Sequence, residues 1–105
     1  MSNAPAPRIP EWTVGDRHRK ARKAAGISVT AMAESIGRTV RTITNYEADE
    51  TTIPRLVSER YETLTGVPIE WLLYGVEPEY DPDGKVQVLY PVTLRYPDIQ
   101  VPVAA

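Results

Sequence analysis

The chain has 105 residues, no cysteine, one histidine (His18) and a formal net charge of −2, a length that fits one small domain plus a tail. Without cysteine, disulfides, thiolate metal sites and a cysteine nucleophile are excluded, and one histidine alone cannot build a zinc centre, so no cofactor is expected. No apolar run is long enough to span a bilayer and the N-terminus lacks the apolar core of a signal peptide, so the expectation is a cytoplasmic protein with no membrane partner.

Residues 1–11 carry three prolines and few apolar side chains, which predicts an extended, mobile arm. Thr13 then offers an N-cap, with Asp16 as the capping-box acid, to a first helix running to about Ala25 and followed by Gly26. Its inward stripe is Val14, His18, Ala21 and Ala25, a thin apolar face. Ser28 caps a second helix that ends at Ile36, with Met32, Ala33 and Ile36 inward. Gly37 permits the tight turn, and Thr39 caps a third helix from Val40 to about Glu47 with Ile43 and Tyr46 inward. Residues 48–53 read as a loop. Pro54 sits well in the first turn of a fourth helix reaching about Thr65, with Leu56, Val57, Tyr61 and Leu64 inward. Pro68 starts a short fifth helix bearing Ile69, Trp71, Leu72 and Leu73, which Gly75 closes.

Beyond Val76 the character changes. EPEYDPDGK is acidic and turn-rich, with a turn at Asp83-Gly84, and VQVLYPVTLRY has near-alternate Val86, Val88, Val92 and Leu94. Pro91 and Pro97 place such segments at a sheet edge. The expected fold class is therefore all-α, a five-helix domain with a short extended, β-like C-terminal tail. Its organisation is an arm at 1–11, a helical domain at 12–75 and a tail at 76–105.

The stretch SVTAMAESIGRTVRTITNYE at 28–47 holds most of the functional information. Two short helical patterns hinge at Gly37, and the second turns Val40, Arg41, Thr44 and Asn45 away from Ile43 and Tyr46. A helix-turn-helix lays such a second helix in the DNA major groove. There Arg41 can bond guanine O6 and N7, Val40 can pack on a thymine methyl, Asn45 can pair with adenine, and Thr44 is a more permissive contact. Phosphate contacts are expected from Ser28, Thr30, Arg38 and Thr39 at the two helix starts, where free amides and the helix dipole favour an anion. Pure capping by Ser28 and Thr39 is the plainer reading, and both roles can coexist. Arg17, Arg19, Lys20 and Lys23 surround the first helix, some facing solvent away from DNA. Residues 8–45 hold eight Lys or Arg against three acids, and the remainder four against eleven. Such a basic front steers one face toward phosphate, although simple solvated surface explains it equally well.

Residues 13–75 resemble the lambda-repressor-like, XRE-type helix-turn-helix family of phage and bacterial regulators. The resemblance rests on Arg22, the Gly-Ile-Ser run at 26–28, Met32-Ala33, Gly37, Ile43, Glu47 and GVPIEWLLYG at 66–75, in that order and spacing. It implies a five-helix fold and sequence-specific binding to double-stranded operator DNA, usually as a homodimer on paired half-sites. It also implies that Arg22 and Glu47 form a partly buried ion pair rather than DNA contacts. Two positions depart from the pattern. Val29 stands where many relatives have a phosphate-contacting glutamine, and His18 where leucine is usual, which predicts a core or half-buried histidine.

The leading function is thus a phage or prophage repressor, Cro-like or immunity-repressor-like. The alternative is an antitoxin-type DNA-binding protein whose tail captures a partner protein by strand addition. An enzyme has little support, since no nucleophile–base pair, metal cluster or Gly-rich phosphate loop occurs. Dimerisation is expected through either the fifth helix, where Trp71, Leu72 and Tyr74 cluster, or the tail. The same aromatics would equally pack under the tail or against Trp12.

Overall fold

The computed structural model describes residues 10–91. Most of the expected arm (residues 1–9) and the end of the expected tail (residues 92–105) lie outside the described residues. Five helices run α1 Val14–Ala24, α2 Val29–Ile36, α3 Val40–Glu47, α4 Arg55–Thr65 and α5 Ile69–Tyr74, followed by strands β1 Val76–Tyr80 and β2 Val86–Pro91.

Local chemistry sets the helix ends. The capping box at α1 is complete: the Asp16 amide donates to Thr13 Oγ1 at 3.0 Å and the Thr13 amide to Asp16 Oδ2 at 3.1 Å. Ser28 and Thr39 accept from the amides of Ala31 and Thr42 at 3.0 and 3.1 Å. Gly37, in the left-handed region at φ 78°, ends α2 and lets α3 start three residues later. Pro54 and Pro68 occupy the cap positions of α4 and α5 rather than their first turns.

The core is Ala21, Met32, Ala33, Ile43, Tyr46, Val57, Tyr61 and Leu72, so each helix contributes at least one residue. Three sequence expectations need correction. Ala25 is exposed, because it is the C-cap of α1 and lies past the buried stripe. On α4, Leu56 and Leu64 are exposed, and the buried face is Val57, Ser58 and Tyr61. Positions 57, 58 and 61 share one helical face, while 64 lies on its flank and 56 on the far side of the helix. Apolarity alone favoured the leucines, whereas Ser58 is buried because its hydroxyl meets His18. On α5, Leu72 is fully buried and Trp71 leans on Trp12 with ring centroids 6.1 Å apart. Of the expected surface trio, Tyr74 is the exposed member.

The tail begins as a hairpin. β1 and β2 pair antiparallel, Val76 opposite Pro91 and Tyr80 opposite Val86, with an irregularity between Glu79 and Tyr80. The segment read as an acidic, turn-rich connection is therefore half strand, and the turn starts at Asp81, whose Oδ1 accepts from the amides of Asp83 and Lys85 at 3.0 and 2.8 Å. Pro78 is accommodated because both strands of a two-stranded hairpin are edge strands. β1 also packs on α5.

Candidate nucleic-acid interface

Helix α3 is held from behind. The Glu47 carboxylate accepts from Arg22 Nε at 2.9 Å, from a second Arg22 nitrogen at 2.9 Å and from the Tyr61 hydroxyl at 2.7 Å. Arg22 also donates to the Ile27 carbonyl at 2.9 Å, tying the entry to α2 into the same network. Both partners are nearly buried, with relative exposures of 9% for Arg22 and 8% for Glu47. Bonding to Glu47 raises the Arg22 pKa, and burial, then the bond to Glu47, pushes the Tyr61 phenol well above its ordinary value. Tyr61 is a member that sequence reasoning missed, although a tyrosine on a buried helical face needs a partner for its hydroxyl.

A second clamp is local to α1. Asp49, in the left-handed region at φ 60°, accepts from the Gly15 amide at 2.9 Å and from the Thr13 hydroxyl. Its carboxylate therefore sits at the positive end of α1 and fastens it to the end of α3. Gly15 is required by that closeness, since a Cβ there would lie 2.6 Å from the Glu47 carbonyl oxygen.

With Ile43, Tyr46 and Glu47 turned inward, Val40, Arg41 and Thr44 are exposed, whereas Asn45 is half-buried. Ser28, Thr30, Arg38 and Thr39 are all exposed around the helix starts. Ser28 and Thr39 use their side-chain oxygens as caps, and the Thr39 and Thr42 hydroxyls are 2.9 Å apart.

The cations of α1 separate into distinct roles. Arg17 donates to the Leu72 and Leu73 carbonyls at 3.1 and 3.0 Å and to the Trp12 carbonyl, so it closes the C-terminal end of α5. Lys20 stands 5.8 Å from the centroid of the Trp12 ring. Arg19 and Lys23 are exposed. Arg19 borders a concavity of about 350 Å³ whose other walls are Arg22, Val29, Thr44, Glu47 and Ala48.

His18 is a core residue. Its Nδ1 lies 2.8 Å from the Val14 carbonyl and its Nε2 2.8 Å from the Ser58 hydroxyl, and its ring meets Tyr61 edge-on at 4.8 Å. The pattern fits a neutral ring donating through Nδ1 and accepting from Ser58. Burial lowers its pKa. Among the described residues, no group of three or more His, Asp or Glu could hold a metal ion, and no helix is long and apolar enough to cross a membrane.

A helix-turn-helix family model, HTH_3, matches residues 19–72, from the middle of α1 to Leu72 in α5. The chain belongs to this helix-turn-helix family. Solved structures share its fold. One is the master regulator for biofilm formation SinR in complex with DNA, at 24% identity over 57% of this chain and 97% of that one, with a TM-score of 0.52. Another is the P22 c2 repressor in complex with synthetic operator 9T, at 22% identity over 66% of this chain and 98% of that one, TM-score 0.54. Apo-HppE also matches, at 21% identity over 85% of this chain but 46% of that one, TM-score 0.54. At such identities the likenesses establish the fold alone. No curated protein matches the sequence. The family assignment makes the chain a DNA-binding transcription regulator of the XRE-like class.

Proposed function

We propose that the protein is a sequence-specific repressor of phage or prophage type, Cro-like or immunity-repressor-like, that reads operator half-sites through α3 in the major groove. One observation carries this reading: Val40, Arg41 and Thr44 are exposed along one face of a helix whose opposite face is locked into the core by Ile43, Tyr46 and Glu47. A rigid helix with an exposed bidentate donor near its N-terminus is what major-groove readout requires. The solved SinR and P22 c2 repressor structures, both with DNA, support it by analogy of fold. In this reading Arg41 contacts guanine, Val40 a thymine methyl, and Thr44 and Asn45 bases deeper along the helix. Ser28, Thr30, Arg38 and Thr39 contact phosphate, Arg22 and Glu47 hold the reading helix in place, and the protein acts as a homodimer in the cytoplasm without enzymatic activity.

The test is binding of the full chain to duplex DNA from its own locus, measured by fluorescence anisotropy across a salt series. Salt-sensitive binding to a short inverted repeat is expected, with half-sites about one helical turn apart. Arg41→Ala should lose about 1–3 kcal/mol of discrimination at one guanine. Absence of salt-sensitive binding to any such DNA refutes the proposal. A second reading, an antitoxin-type regulator, is favoured by the hairpin, in which β2 pairs with β1 alone among the described residues. Copurification of a second small protein at fixed ratio supports that reading, and its loss on truncation after Gly75 would locate the contact.

A further inference from the structure

Between α5 and β1 lies a concavity of about 400 Å³ walled by Pro68, Trp71, Glu77, Pro78 and Tyr80. Two prolines and two aromatic rings make it mostly apolar, and Tyr80 remains 47% exposed. Its surroundings are negative: residues 62–84 hold six acids and no lysine or arginine. Glu77 is exposed at the concavity itself. Glu70 and Glu62 lie close enough to act on the Tyr80 phenol, whose pKa is raised by burial first and then by these two carboxylates. Aromatic grooves of this kind take polyproline-type segments, because a stiff, extended helix without internal hydrogen bonds lies flat on the rings at small entropic cost. Acids beside the rings add a preference for a segment that carries a cation. The chain itself contains one. Residues 1–10, MSNAPAPRIP, have three prolines, a single charged side chain, Arg8, and no acid. Pro10 stands two residues before Trp12, whose ring centroid is 6.1 Å from that of Trp71, a wall of the concavity. Five residues of polyproline helix reach about 15 Å from that point. The concavity that Pro10 itself borders is the poorer seat for Arg8, since Arg19, Lys20 and Lys23 line it.

We infer that the concavity between α5 and β1 is the docking site of the chain's own proline–arginine segment, residues 5–9, with its prolines on Trp71 and Tyr80 and Arg8 paired with Glu77. Docking is intramolecular: the Trp12–Trp71 contact fixes the end of the segment beside the concavity, so its effective concentration there is high and no association entropy is lost. The inference concerns the α5–β1 side of the molecule and stands whether or not α3 reads DNA.

The experiment uses trypsin, because Arg8–Ile9 is the one tryptic bond in residues 1–16. Loss of residues 1–8 is followed by mass spectrometry in the full-length wild type, Tyr80→Ala, Glu77→Lys and, as a control, Glu34→Lys on the exposed side of α2. A synthetic peptide of residues 1–12 sets the rate for the undocked segment. Cleavage tracks the population of the open form, so a segment docked about nine-tenths of the time is cut about tenfold more slowly than the peptide. Tyr80→Ala and Glu77→Lys should each recover about fivefold or more of that rate, with Glu34→Lys matching wild type and all melting temperatures equal. If Tyr80→Ala lowers the melting temperature, Glu77→Lys, an exposed charge reversal, decides alone. Wild type cut as fast as the peptide overturns the docking. Protection that survives in Glu77→Lys places the segment elsewhere and overturns the site. Protection that fades on dilution puts the segment on a second copy of the chain and overturns the intramolecular assignment.

Discussion

Replacing Gly15 by alanine sets two effects of opposite sign against each other. Gly15 lies in the first turn of α1, where alanine is the better helix former by about 0.5–1 kcal/mol. A Cβ built there, however, would meet the Glu47 carbonyl oxygen at 2.6 Å, the Tyr46 carbonyl oxygen at 2.7 Å and Asp49 Cγ at 2.9 Å. The two oxygen contacts fall roughly 0.6 Å or more inside the ~3.3 Å of a close carbon–oxygen approach. Both oxygens are backbone atoms in the last turn of α3, so no side-chain rotation relieves them, and α1 must move away. That movement loosens the Gly15 amide from the Asp49 carboxylate, a charge-assisted bond of about 1.5–3 kcal/mol, on top of about 1–3 kcal/mol of overpacking strain. Steric exclusion wins, and the net destabilisation should be about 2–4 kcal/mol. For a domain of this size that is a fall of roughly 10–30 °C in Tm. Urea unfolding followed by far-UV circular dichroism, with calorimetric melting alongside, reads both numbers. Gly26→Ala is the control: nothing lies within 4 Å of a Cβ placed on it, and the cost comes from φ +72° alone, about 1–2 kcal/mol. Stability of Gly15→Ala equal to or above wild type would show that α1 and α3 do not approach as closely as described, and would refute this reasoning.

Three further outcomes follow from the same contacts. Glu47→Ala strands the Arg22 guanidinium beneath α3 and should cost about 3–5 kcal/mol; Arg22→Ala/Glu47→Ala should cost clearly less than the sum of the single changes in a double-mutant cycle, and strict additivity would contradict the pairing. His18 should make the fold sensitive to acid. Its folded pKa lies below the unfolded value near 6.5, so its contribution is complete above about pH 6.5 and declines as pH falls through the folded pKa. Urea midpoints between about pH 7.5 and 5 should therefore drop more steeply in wild type than in His18→Leu, and parallel pH profiles would remove His18 as the cause. Asp49→Ala should lose about 1–2 kcal/mol of helix capping, whereas Asp49→Asn, which tolerates the left-handed conformation and keeps an acceptor for the Gly15 amide, should lose less; chemical denaturation of the two variants separates the cases.

The order and ends of the helices were legible because they follow from short-range chemistry. Thr13, Ser28 and Thr39 cap the residues beside them, and Gly37, Gly66 and Gly75 adopt the left-handed turns that follow helix ends. The inward residues of α2 and α3 were equally plain, since Met32, Ala33, Ile43 and Tyr46 fall at helical spacing. Apolarity misled on α4, where two leucines off the buried face outweighed a serine that burial favours through its bond to His18. It also misled on the tail, because Pro78 and the surrounding acids disguised a strand whose pairing partner lies beyond the next turn.

The sequence by itself therefore determined the helix-turn-helix register and which side of α3 carries Val40, Arg41 and Thr44. Helical periodicity and capping are local, and each is written within a few residues. Only the tertiary structure decided which cations remain free for an anion. Arg17 sits next to the Asp16 cap and looks as available as Arg19, yet it is held by carbonyls at the end of α5, far along the chain. The same holds for Gly15, an unfavourable residue in a helix until α3 is brought against it, and for Tyr61, whose hydroxyl completes the Glu47 network from α4. Arg17 and Tyr61 depend on atoms distant in sequence meeting within 2.7–3.1 Å, and Gly15 on backbone oxygens of α3 that leave no room for a Cβ, facts that local pattern cannot encode and chain packing supplies.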